Sequence, residues 1–243
     1  MNDSILIAHC GASKVDRDFL KTLPLPEATR THQPIPHIEI VEALIETLSF
    51  RHIQVVRDEY AVTPDGMRCF GLLQLEYGIE GVQFAIGFRN ANDKSMRLAL
   101  TVGYRVLICD NMAFKGDFTP VLAKHSKSLN LIDRISVGVD KIQRNFDPLK
   151  LQIRDWHDCQ LDSKRAKEII YDAFLSSKLG LPGHLMSDVH HFYFNPEVDD
   201  FKSRTLWSLS NAFTSAFKEL KPVKQFQATA RLGDFLEDRR MPF

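Results

Sequence analysis

The chain lacks every common nucleotide signature. Neither G-x-x-x-x-G-K-[ST] nor G-x-G-x-x-G occurs, and the kinase set, G-x-S-x-G and H-E-x-x-H are missing too. Without a phosphate-cradling glycine loop, a nucleophile elbow or a paired-histidine helix, an NTPase, a dehydrogenase or a common hydrolase is not expected. Paired cysteines are also lacking. Cys10, Cys69, Cys109 and Cys159 stand 40 to 59 residues apart with no C-x-x-C. That spacing argues against a zinc site or redox dithiol and suits a reducing cytoplasm. No long apolar run opens the chain: "MNDSILIAHCGASKVD" has an aspartate at position 3 and only four consecutive apolar residues, Ile5–Ala8. Neither a signal peptide nor a membrane span is expected. There is no excess of charge either. Lys+Arg and Asp+Glu stand at 31 each, so the whole molecule has no bulk attraction for nucleic acid or membrane.

What is present is ordinary globular material. Of the 243 residues, 44% are apolar and 26% charged, enough to bury a core of useful size. Residues 1–36 carry four prolines and no long periodic pattern, which predicts an extended N-terminal arm. Ile38, Val41, Leu44, Ile45 and Leu48 then recur at helical spacing, with Pro36 suited to the first turn. Four strand-like segments follow: 52–62, 67–78, 82–89 and 96–109. "TPDG" and "GIEG" separate the first three, so the expected sheet is an antiparallel meander. Beyond Thr119-Pro120, which reads as an N-cap and N1 pair, the chain is helical. A stripe of Leu122, Leu129, Ile132, Ile135, Val139, Ile142 and Phe146 marks a long helix. Further helices are expected over 162–178, 203–220 and 222–240, with a short-helix or irregular connection at 181–200. The fold expected is one α+β domain over 1–243: arm, helix plus antiparallel sheet to 118, and a helical part from 119.

The last two strands carry the most suggestive residues. If Arg89 pairs with Arg97, one face holds Phe84, Ile86, Phe88, Leu98, Leu100, Val102 and Tyr104. The other holds Gln83, Ala85, Gly87, Ala99, Thr101 and Gly103, nearly all small. Such a strip admits close approach by a packed helix or by an extended ligand. Between the strands runs "GFRNANDKS" (87–95). Arg89 and Arg97 stand at the hairpin mouth, Lys94 lies in the connection, and Arg105 is eight residues along from Arg97 on the same strand face. Like charges across a hairpin are unfavourable, so either Asp93 and Asp110 neutralise them or an external anion such as phosphate does. Asn90 and Asn92 fit both readings, as residues tolerant of left-handed turns and as hydrogen-bond donors.

Other features have plainer readings. Asp188, His190 and His191 contain the right atoms for a metal, but no second motif completes a site, and no metal or other cofactor is expected. Lys127, Arg134 and Lys141, spaced by seven, read as a solvated ridge that would also suit a phosphate backbone. Phe201 and Trp207 fit core positions and base stacking equally well.

"FAIGFRNANDKSMRLALTVGYRVLICDNMAF" (84–114) resembles the signature of the DUF932 family of phage/plasmid-like proteins. The matching positions are Arg89, Asn90, Asp93, Ser95, Gly103, Cys109, Asn111 and Met112. "TLWSLSNAFTSAF" (205–217) is similar to a second family segment through Trp207, Leu209, Asn211, Ala212 and Thr214. One departure is Ala91-Asn92, where the family pattern has Ser and an aromatic or acidic residue. The resemblance implies association with mobile elements and transfers no catalytic residue. Two functions are therefore expected to compete. One is a non-enzymatic protein that binds single-stranded DNA or other nucleic acid; its helix-and-meander order loosely resembles strand-annealing proteins. The other is a module that binds a host protein. Self-association remains open, and an enzyme ranks third.

Overall fold

The computed structural model describes residues 12–79, 81–109, 111–114, 122–123, 130–175 and 179–240. It is an α+β fold, with N-terminal helices, a curled antiparallel sheet and a C-terminal helical region. In chain order the elements are β1 (Ser13–Val15), α1 (Arg17–Thr22), α2 (His37–Ser49), β2 (Val55–Val62), β3 (Arg68–Ile79), β4 (Val82–Ala91), β5 (Leu98–Val106), β6 (Asn111–Phe114) and β7 (Leu122–Ala123). Five helices follow: α3 (Leu131–Asp158), α4 (Ser163–Leu175), α5 (Leu185–Phe194), α6 (Leu206–Ala216) and α7 (Pro222–Glu237). They group into two compact units, Met1–Tyr104 with Phe118–Phe146, and Arg105–Asp117 with Asp147–Phe243.

In the first unit the strands are ordered β1-β2-β3-β4-β5, with β7 beside β5. The arm expected to be extended instead contains β1 and α1. Asp16 caps α1 by accepting the Phe19 N–H at 2.7 Å, and β1 pairs antiparallel with Tyr60–Val62. Neither signal rises above the proline pattern that follows, and from Leu23 to Pro36 the chain has neither helix nor strand. Pro36 is the N-cap of α2, one residue before the position expected. A bulge at Val56 interrupts the β2–β3 register, which bends this strand near the sheet edge.

Both faces of β4 and β5 are covered. Phe84, Ile86, Leu98, Leu100 and Val102 are buried, and so are Ala85 and Ala99 on the small-residue face. The strip of small side chains is therefore packed, with only Gln83 and Thr101 partly exposed. Gly71 shows why small residues are needed. It pairs with Phe88 in the β3–β4 register, and a Cβ there would overlap the Phe88 ring.

Helix α3 begins later than the sequence suggests. Asn130 accepts the Asp133 N–H at 3.3 Å, as a cap does, while Leu122 belongs to β7. Thr119 and Pro120 lie outside the described residues. Ile135, Val139, Ile142 and Phe146 form the buried stripe. Ile132, in the first turn and at the stripe's margin, is 62% exposed. In the first unit Arg51 fixes this helix to α2 by donating to Asp140 Oδ1 at 2.8 Å, Ser136 Oγ at 2.9 Å and Thr47 O at 2.9 Å.

The second unit is organised around α6. Thr205 and Ser208 form a capping box, and every residue from Leu206 to Thr214 is buried. An all-buried helix needs its polar groups matched internally. Accordingly Thr214 Oγ1 donates to Ser210 O at 3.1 Å and Asn211 Nδ2 to Trp207 O at 3.0 Å. Nearby, Trp156 Nε1 donates to Glu237 Oε2 of α7 at 3.0 Å. No described helix is long and apolar enough to cross a membrane.

Candidate functional site

The polarity of "GFRNANDKS" resolves into three groups with different work. The first is a clamp. Asn92 grips both backbone groups of Ile35, accepting its N–H at 3.0 Å and donating to its carbonyl at 3.0 Å. Asn90 Nδ2 donates to the same carbonyl at 3.1 Å and lies 2.9 Å from His37 Nδ1. His37 Nε2 is 3.0 Å from Gly66 O, and His32 Nε2 is 3.1 Å from Asn92 O. A carbonyl accepts only a proton-bearing nitrogen, so His37 carries its proton on Nε2 and receives the Asn90 N–H on Nδ1. Burial pushes its pKa below the usual imidazole value, against a smaller upward pull from the Gly66 carbonyl. Asn90 and Asn92 are buried, so both amides hold the approach to α2 and neither faces solvent. Nor do they take the left-handed conformation: that falls to Lys94, with φ of 67°.

The second group is a neutralised pair. Asp93 accepts from Arg68 Nε at 2.7 Å and from Ser95 N and Oγ at 3.0 and 2.5 Å. Burial raises the Asp93 pKa, but the Ser95 hydrogen bonds and the Arg68 charge outweigh it, and the net direction is down. Arg68, on the neighbouring strand, was not expected as the partner; only the observed register brings it beside the β4 end.

The third group is what remains. Arg89 is half-buried, opposite Phe70 of β3. It makes no ion pair or hydrogen bond among the described residues, and its Nε is buried without a partner. Asp93, expected to match it, is taken by Arg68. Asp110 lies outside the described residues. Lys94 and Arg97 are exposed on the same connection. Arg105 does not join them: it is half-buried near the other end of β5 and has interactions of its own. A guanidinium partly removed from water, with no counter-charge among the described residues, favours an incoming anion, because such a charge is costly to leave unpaired.

Other candidates resolve as structure. Phe201 and Trp207 are buried. Arg134, Lys141 and Arg144 lie on the solvated face of α3, and Lys127 is outside the described residues. His190 and His191 are exposed on α5, and among the described residues no group of three His, Cys, Asp or Glu is placed to hold a metal. Cys69 is buried, which raises its pKa and makes it a poor nucleophile. Two adjoining hollows, about 520 and 550 Å³, lie by the end of α2, the first reaching the β2 edge; Arg17, which lines both, is matched to Asp58, which also accepts from the Tyr60 hydroxyl at 2.5 Å.

No protein-family model, curated protein or solved structure matches this chain.

Proposed function

We propose that this chain is a non-enzymatic nucleic-acid-binding protein of the phage/plasmid-like type, with a preference for single strands. It acts in the cytoplasm in mobile-element DNA metabolism. The observation that carries this reading is Arg89, a partly desolvated cation with no ion pair among the described residues, Asp93 being bound by Arg68. Arg97 and Lys94 extend the same positive edge, so the proposed ligand is a phosphodiester backbone that contacts Arg89 first. The family part of the proposal is supported by its two signature segments, which meet in the second unit through Asn111 and Asn211. The test is fluorescence anisotropy with a labelled single-stranded oligonucleotide across ~50 to ~200 mM salt. Affinity should fall steeply with salt. No binding at the lowest salt would end this reading.

A second reading, a module that binds a host protein, is favoured by one observation. Phe50 at the end of α2 is 77% exposed and Val56 at the β2 bulge is 52% exposed, beside the α2–β2 hollow. Exposed apolar groups of this kind are common at protein interfaces. A Phe50→Ala variant that keeps every partner of the wild type in cross-linked host lysate would contradict it.

A further inference from the structure

In the second unit two cationic side chains and an imidazole surround a single ring. Lys167 Nζ of α4 lies 5.6 Å from the centre of Phe194, and the Arg204 guanidinium lies 5.3 Å from it. The His190 imidazole, one turn earlier on α5, is 4.5 Å away centre to centre. Lys167, His190 and Arg204 are all exposed, and none forms an ion pair among the described residues. This is not a solvated face of alternating charge, since among the described residues no carboxylate closes on any of the three.

Arg204 is also held at a cost. Its φ of 53° is left-handed, a conformation that glycine takes freely and other residues do not. Leu161 N–H and the Tyr193 hydroxyl each donate to its carbonyl at 3.0 Å, and its Nη1 donates to Ser163 Oγ at 3.3 Å. The fold thus fixes an arginine where a glycine would fit with less strain, and it directs the guanidinium over Phe194. Strained residues kept in place by their surroundings concentrate at functional positions.

We infer that Lys167, Arg204 and His190 form a second contact surface for single-stranded nucleic acid, an inference that rests on the nucleic-acid reading above. Lys167 and Arg204 take the phosphates, while the exposed imidazole and guanidinium planes stack on unpaired bases, as such planes do in single-strand recognition. An acidic peptide would supply the charge but no planar face. That difference separates the two ligands.

The experiment compares labelled oligo-dT with an abasic oligonucleotide of equal length, on the full chain and on Arg204→Gly, His190→Ala, Lys167→Gln and Arg89→Ala. Arg204→Gly should melt at or above the wild-type temperature yet bind oligo-dT roughly five- to tenfold more weakly. His190→Ala should remove most of the wild-type preference for oligo-dT over the abasic strand. Lys167→Gln should weaken both probes equally and make the salt dependence shallower by about one unit of slope. If these three variants bind as wild type while Arg89→Ala is impaired, the second surface is wrong and the hairpin site stands. If the wild type binds neither strand, both fail. If it binds both strands equally, stacking is wrong.

Discussion

The carboxamide nitrogen of Asn111 donates to both the backbone carbonyl and the side-chain oxygen of Asn211, at 3.2 Å each. Ser215 completes the set, accepting from Asn111 Nδ2 at 3.1 Å and donating back to its Oδ1 at 3.4 Å. Both asparagines are buried. Replacing Asn111 with Ala leaves the buried Asn211 Oδ1 with only the Cys109 thiol at 3.8 Å, while the Asn211 carbonyl keeps the Thr214 hydroxyl at 3.1 Å. The expected loss is about 1–3 kcal/mol of stability. Asn111→Asp should cost more, because a carboxylate would then face those same oxygens. Thermal melts of the three proteins check the order.

Burial of the His37 imidazole makes stability depend on pH. The His37 pKa lies below its unfolded value, so below about pH 6.5 the unfolded chain binds more protons than the folded one, and folding weakens as pH falls. Protonating Nδ1 would also oppose the Asn90 N–H that now points at it. The urea midpoint should therefore drop from pH 7.5 to pH 5.5, and His37→Gln should drop less than wild type. An equal drop in both would assign the effect to other groups, such as His157, whose pKa burial also lowers.

Much of this architecture could be read from the sequence. Helix α2, four of the sheet strands and the start of α4 follow from periodicity and turn chemistry, which act over a few residues. What could not be read depended on tertiary register. Arg68 meets Asp93 because β3 and β4 pair as they do, and nothing local links the two residues. Asn90 and Asn92 looked like donors for a ligand; their partner, Ile35, is more than 50 residues earlier, in a proline-rich stretch with no periodicity. Arg89 was legible as a candidate, but its lack of a partner among the described residues was not. That depended on where Asp93 would turn.

Asn92→Ala should loosen the approach to α2 without unfolding the sheet. The Ile35 N–H loses its acceptor, and its amide should exchange with solvent faster by a factor matching a lost buried hydrogen bond, about 1–3 kcal/mol. Hydrogen exchange read at residues 32–37 and at β3 separates local loosening from global loss.

Gly71→Ala should destabilise the first unit by about 1–3 kcal/mol, the usual cost of overpacking, since the added methyl would overlap Phe88. Phe88→Leu in the same chain should recover part of that loss. A double variant no more stable than Gly71→Ala alone would place the difficulty in the backbone rather than in the ring.

Arg89, unpaired among the described residues, is the proposed anion contact. Its most direct test is the affinity of Arg89→Ala for a single-stranded oligonucleotide at low salt, beside Arg154→Ala, an exposed arginine of α3, as control. Arg89→Ala should bind several-fold more weakly, with the slope of log affinity against log salt reduced by about 1, while the control is unchanged. Equal affinity and equal slope for Arg89→Ala and wild type would contradict it.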